Sequence, residues 1–149
     1  MALVHDPFVP PPTNKGFNDF DAKSKTNGPS CIGAMVEYMD MIVGEMIKKT
    51  EELGIRENTY IVFGGDSGTD RDVVSVTNGI PLQGDKGNTT DAGTHVPLIV
   101  NWKGKIAPKS INNNLIDFTD FLPTLLDISG AASLARAPWD GLSFYRHFG

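Results

Sequence analysis

Thr59-Tyr60-Ile61-Val62-Phe63-Gly64-Gly65-Asp66-Ser67-Gly68 is the stretch from which the rest of the chain is read. β-Branched and aromatic residues fill positions 59–63 with apolar groups on both faces. That is the composition of a strand buried on both sides, as in a parallel sheet. Glycines then end the run and present an acid in a flexible turn. In open α/β sheets, ligands bind beyond the carboxyl ends of the strands, so a turn of this kind is a candidate site.

Upstream, Met35, Met39, Ile42 and Met46, with Val36, Val43 and Ile47 alongside, recur in steps of three and four. They define one helical face, and Glu37, Asp40, Glu45, Lys48 and Lys49 fall largely opposite. Gly54 is a natural C-terminal stop, so a helix is expected over 33–53. Downstream, Pro97-Leu98-Ile99-Val100-Asn101-Trp102 reads as a second buried strand. Residues 68–96 between the strands hold many Gly, Asn, Asp and Thr. They are expected to form a long loop, and long loops inside α/β domains are usually functional. A last helix is expected over 117–129, with Asp117 as N-cap, Pro123 in the early turns and Gly130 past the end.

At the start, Met1-Ala2-Leu3-Val4 reads as a strand entered in its middle, so a piece of a longer chain is expected. Residues 6–29, rich in Pro, Asn, Lys and Gly, should form an extended surface loop. No internal repeat is found. The order strand, helix, strand, strand, helix indicates an α/β sandwich with a largely parallel sheet.

The 149 residues fit one compact domain, and 40% hydrophobic with 21% charged residues is ordinary for a globular protein. A net charge of -5 argues against nucleic acid as a partner, because phosphate backbones are held by Lys and Arg clusters. It leaves an anionic substrate open, since one metal or Lys reverses the local sign. With Cys31 as the single cysteine no intrachain disulfide forms, and the compartment stays open. No apolar run reaches membrane-spanning length. The first four residues are also too short to be a signal peptide.

Three chemistry-bearing residues are expected at strand ends: His5 after the first, Asp66 after the second, and Lys86 in the loop before the third. Asp66, flanked by glycines, either ligates a hard cation or caps its own turn. Ser67 and Asp70 add possible oxygens. Lys86, within Gly84-Asp85-Lys86-Gly87-Asn88-Thr89-Thr90, either holds an oxyanion with help from backbone N–H groups or is solvated. His5 is either a general acid or anion ligand, or a hydrogen-bonded structural residue. His95 reads as structural or outer-lying support, and His147 as structural. The helix methionines read as core filler, and Cys31 as buried and unreactive.

Taken together and in order, these segments resemble the sulfatase family of the alkaline-phosphatase-like superfamily. Met35 through Thr59 looks like its long helix and the turn into the next strand. Gly65-Asp66-Ser67-Gly68 resembles its metal-binding turn, usually written with Asp-Asn-Gly. Asp85-Lys86-Gly87 through His95-Val96-Pro97 resembles its Gly-Lys-Gly loop running into an Arg-Val-Pro strand. Asp120-Phe121-Leu122-Pro123-Thr124-Leu125-Leu126-Asp127 resembles its Pro-Thr-Leu-Leu helix, and Trp139-Asp140-Gly141-Leu142-Ser143 the segment after it.

The resemblance implies an alkaline-phosphatase-like sandwich and hydrolysis of organic sulfate esters, with residues 1–149 as a single partial catalytic domain. Asp66 and Ser67 would be metal ligands, for Ca2+ or alternatively Mg2+. Lys86 and His5 would be catalytic and touch sulfate, and His95 would join them in substrate binding. Ser67 departs from the family's Asn, and His95 from its Arg. The family's nucleophile is a formylglycine made within Cys/Ser-x-Pro-x-Arg. Cys31-Ile32-Gly33-Ala34 does not match it, and no paired Asp ligands precede His5. The nucleophile is therefore expected in a missing N-terminal segment, and these residues alone are expected to be inactive. The implied partner is a sulfated small molecule or glycan, and family analogy points to the periplasm or the exterior. Two alternatives stand: a phosphoester or phosphonate hydrolase of the same superfamily, and a degenerate domain that only binds a ligand.

Overall fold

The computed structural model describes residues 4–19, 21, 28–131 and 138–148. It separates into two compact units, Met1–Val100 and Asn101–Gly149.

In the first unit, Pro29 opens a 3-10 turn over Pro29–Cys31 that feeds directly into helix α1, Ile32–Glu52. The proline supplies its fixed φ where no N–H is needed. Leu53 caps the helix, and Gly54 turns the chain out at φ 66°. The expected helix is thus displaced by one residue. Its Met35 is buried with Phe8 and Val73, and Val4, Cys31 and Ile32 pack against this cluster. Phe8 ties part of the Pro-rich segment down. The methionines do not all fill the core: Met41 is 44% exposed and Met46 62%. The strand expected over 1–4 lies outside the described residues except for Val4.

After α1, Arg56–Asn58 make a 3-10 turn in which Arg56 is 7% exposed. Its Nη1 donates to the Thr59 carbonyl at 3.4 Å, and Nε lies 3.9 Å from Glu51 Oε1. Burial pushes the neighbouring Tyr60 phenol up to about 12. Strand β1, Ile61–Gly64, pairs with a later strand, Leu98–Asn101, which we number β4. Gly65 N–H donates to the Pro97 carbonyl at 3.2 Å, which sets the end of β1 beside the start of β4. The two strands therefore run in opposite directions. Both segments expected as strands are present; a largely parallel sheet was expected to hold them, and the two are antiparallel neighbours.

The second correction concerns residues 68–96. They contain a hairpin of β2, Val74–Thr77, and β3, Ile80–Gln83, in register Val74↔Gln83 and Thr77↔Ile80. Asn78 and Gly79 sit at φ 53° and 80°, the left-handed pair that a two-residue primed turn requires. A single helical turn, α2 (Asp91–Thr94), follows.

The second unit is built on Asp117–Ser129. A 3-10 turn over Phe118–Asp120 leads into α3, Phe121–Ser129, and Gly130 ends it at φ 69°. Thr119 N–H donates to Asp117 Oδ1 at 2.8 Å, and Asp117 N–H donates to Asp120 Oδ2 at 2.9 Å, a reciprocal cap. The helix expected over 117–129 is borne out. Phe121, Phe144 and Phe148 meet edge to face, with centroids 5.5 and 5.8 Å apart. At 1% exposure, Thr124 joins the helix to that aromatic segment.

Candidate functional site

The turn carrying Asp66 and the loop carrying Lys86 are stitched together by backbone. Gly68 N–H donates to the Gly93 carbonyl at 2.8 Å, and Lys86 N–H donates to the Thr69 carbonyl at 2.9 Å. The approach depends on glycine. A Cβ on Gly68 would overlap the Ala92 carbonyl oxygen, and one on Gly93 would overlap that of Asn88. Close contact of two loops 20 or so residues apart is why this sequence spends so many glycines here.

Asp66 is exposed and Ser67 half-buried; Ser67 Oγ donates to Asp66 Oδ1 at 3.3 Å. Both side chains offer oxygens of the type that a hard cation takes. Among the described residues, no three His, Cys, Asp or Glu side chains gather as a metal site. Asp70, an expected extra oxygen donor, accepts the Asp72 N–H at 2.9 Å and caps its own turn.

Lys86 is half-buried, and among the described residues its ammonium enters no hydrogen bond or ion pair. His95 is exposed, follows α2 directly, and sets Nδ1 3.2 Å from Asp91 Oδ1. His5 is exposed too, with Nδ1 2.6 Å from the Asp6 carbonyl. No described hydrogen bond or ion pair joins it to Asp66 or Lys86. The structure thus brings the Asp66–Ser67 turn and the Lys86 loop together and leaves His5 engaged with its own neighbour. His147 Nδ1 lies 3.4 Å from Asn114 Nδ2 in the second unit.

Sequence reading missed Asp85. Its Oδ1 accepts Asn88 Nδ2 at 2.7 Å and lies 3.2 Å from Arg71 Nε, while Oδ2 accepts Thr90 Oγ1 at 2.7 Å. The Thr90 hydroxyl first, then Asn88 and the Arg71 guanidinium, hold this carboxyl below the usual carboxylate range. An open cleft of about 400 Å³ beside it is lined by Arg71, Gln83, Gly84, Asp85, Thr90 and Ala92. An Asp followed by Asn and Thr at three and five residues is the sequence signal that was available.

Two glycine-rich loops, one carrying Asp66 and the other Lys86, are thus joined through backbone hydrogen bonds. The family model for sulfatases matches residues 3–131, and the chain belongs to the sulfatase family. A sulfatase of Formosa agariphila is 36% identical over 107 residues, covering 66% of this chain and 19% of that protein. An ulvan-active sulfatase of the same organism is 36% identical over 92 residues, 62% of this chain and 14% of the relative. This chain therefore spans about a fifth or less of the relatives it matches. A solved structure described with metabolism of multiple glycosaminoglycans by Bacteroides thetaiotaomicron superposes with a TM-score of 0.65 at 24% identity. It covers 88% of this chain and 26% of that one. The fold is alkaline-phosphatase-like, and the expected α/β class is borne out. No helix among the described residues is long and apolar enough to cross a membrane.

Proposed function

We propose that, in the intact protein, this chain forms the anion-holding side of a sulfuric ester hydrolase. The observation that carries the proposal is the half-buried Lys86, whose backbone is bonded to Thr69 and whose ammonium has no carboxylate partner among the described residues. As the S–O bond to the alcohol breaks, its electron pair and negative charge pass to the leaving oxygen. An ammonium beside the ester would hold the sulfate group and offset the charge that shifts during cleavage.

Asp66 and Ser67 would hold a divalent cation, calcium or alternatively magnesium, together with ligands from elsewhere; when bound, it and the family's formylglycine would supply Lewis-acid polarisation and the nucleophile. His5 would protonate the leaving oxygen. Its Nδ1–H faces the Asp6 carbonyl, so Nε2 is the nitrogen left to hold and release the proton. His95, steadied by Asp91, would support the substrate at the start of β4. The substrate would be a sulfated small molecule or glycan, as the name of the ulvan-active relative suggests.

The test is hydrolysis of 4-nitrophenyl sulfate by the intact protein. Lys86→Ala should lower kcat/KM by about 10²–10³-fold, the cost of losing one oxyanion-stabilising group. The 149 residues alone should show no turnover. Unchanged kinetics in Lys86→Ala would remove Lys86 from the site, and turnover by the 149 residues would refute the shared-site reading.

A further inference from the structure

We propose that Asp85 is a positioning residue whose carboxylate closes the 85–90 loop and so fixes the backbone from which Lys86 reaches its anion. The proposal rests on the assignment of Lys86 to the sulfate-binding site.

Both oxygens of Asp85 are occupied, and each partner comes from a different point on the loop's periphery. Asn88 and Thr90 donate from the far side of the turn, at 2.7 Å each. Arg71, at 3.2 Å, comes from the segment that leaves the Asp66 turn. Backbone bonds complete the enclosure: Asn88 N–H donates to the Asp85 carbonyl at 3.1 Å, and Lys86 N–H to the Thr69 carbonyl at 2.9 Å. Gly87, next to Lys86, lies at φ 92°, where the chain reverses. The residue before Lys86 thus carries side-chain bonds to both flanks, while the residue after it supplies the sharp turn.

An isolated exposed ion pair such as Arg71–Asp85 contributes little by itself. Here the same carboxylate also takes two short side-chain bonds, so the three contacts act on one loop conformation and are expected to be non-additive. The loop ends at Gly93, whose carbonyl accepts the Gly68 N–H, so the far end of the segment is anchored independently of Asp85. Misplacing a binding group by about 1 Å can cost about 10²-fold in rate.

The experiment uses the intact protein with Asp85→Ala, the milder Thr90→Val, Lys86→Ala and the double variant Asp85→Ala/Lys86→Ala. Hydrogen–deuterium exchange of peptides spanning 84–94 reads loop order, and kcat and KM on 4-nitrophenyl sulfate read its consequence. We expect faster exchange in 84–94 for both Asp85→Ala and Thr90→Val, with a larger effect in the former. We expect kcat/KM to fall about 10- to 100-fold in Asp85→Ala. In a Lys86→Ala background the same change should cost nothing further, which a general structural defect would not reproduce. Exchange unchanged in both single variants overturns the proposal. So does full additivity of Asp85→Ala with Lys86→Ala. If wild type and Lys86→Ala prove equally inactive, the hydrolase reading fails, and the exchange result alone then decides whether Asp85 orders the loop.

Discussion

Thr124 Oγ1 accepts the buried Phe144 N–H at 3.0 Å while donating to the Asp120 carbonyl at 2.7 Å. One hydroxyl thereby ties the first turn of α3 to a segment twenty residues further on. Asp120 strengthens the tie, its Oδ1 accepting the Leu142 N–H at 2.7 Å. Replacing Thr124 with Val keeps the shape and orphans the Phe144 N–H. The expected cost is about 1–3 kcal/mol, the penalty for an unsatisfied buried donor. Urea unfolding of the intact protein measures it, with Thr124→Ser retaining most of the stability. A Val variant as stable as wild type would contradict the assignment.

Gly68→Ala should separate the two loops of the site. The added methyl meets the Ala92 carbonyl, a backbone atom that cannot swing away. Overpacking of this kind costs about 1–3 kcal/mol. A lowered unfolding midpoint together with faster exchange over 84–95 is the expected pair of readouts. A midpoint equal to wild type would mean that the loops part without cost.

Asp117 makes stability depend on pH in a definite direction. The Thr119 N–H holds its carboxyl below the usual range, so the unfolded chain takes up the proton first as pH falls. Its contribution is therefore fully present above the ordinary Asp value of about 4 and is lost as pH drops through the depressed folded value. Urea midpoints taken between about pH 5 and pH 2 should decline for wild type and decline less steeply for Asp117→Asn. Equal slopes would exclude the cap as the source.

Asp66 and Ser67 predict a cation effect that does not depend on turnover. Calcium at about a hundredfold over its Kd should stabilise the intact protein by about 2.7 kcal/mol. Asp66→Ala should abolish the rise in Tm between chelator and calcium. Ser67→Asn, which restores the amide oxygen common in the family, should enlarge it. The same calcium shift in wild type and Asp66→Ala would place the cation elsewhere.

Much of this was legible in consecutive residues. The 3-4 spacing from Met35 to Ile47 and the stop at Gly54 marked α1, and Asp117 and Gly130 marked both ends of the C-terminal helical segment. Those signals are local, because helix periodicity and caps are satisfied by neighbours in the chain. The Asn78-Gly79 hairpin was equally local, yet it was passed over. Val74 and Val76 before the turn, and Ile80 and Leu82 after it, stand at alternate positions, the usual signal of a hairpin, although every residue of β2 and β3 is exposed.

Residue types at Asp66 and Lys86, and the family they resemble, were set out by the sequence itself, since motif order survives without coordinates. Tertiary structure alone decided that β1 and β4 run in opposite directions. An apolar run carries no record of its partner's direction; the bond from Gly65 to Pro97 does. Tertiary structure also selected Asp85 from among the loop's acids, because its Arg71 partner lies fourteen residues away and only folding brings the guanidinium within 3.2 Å.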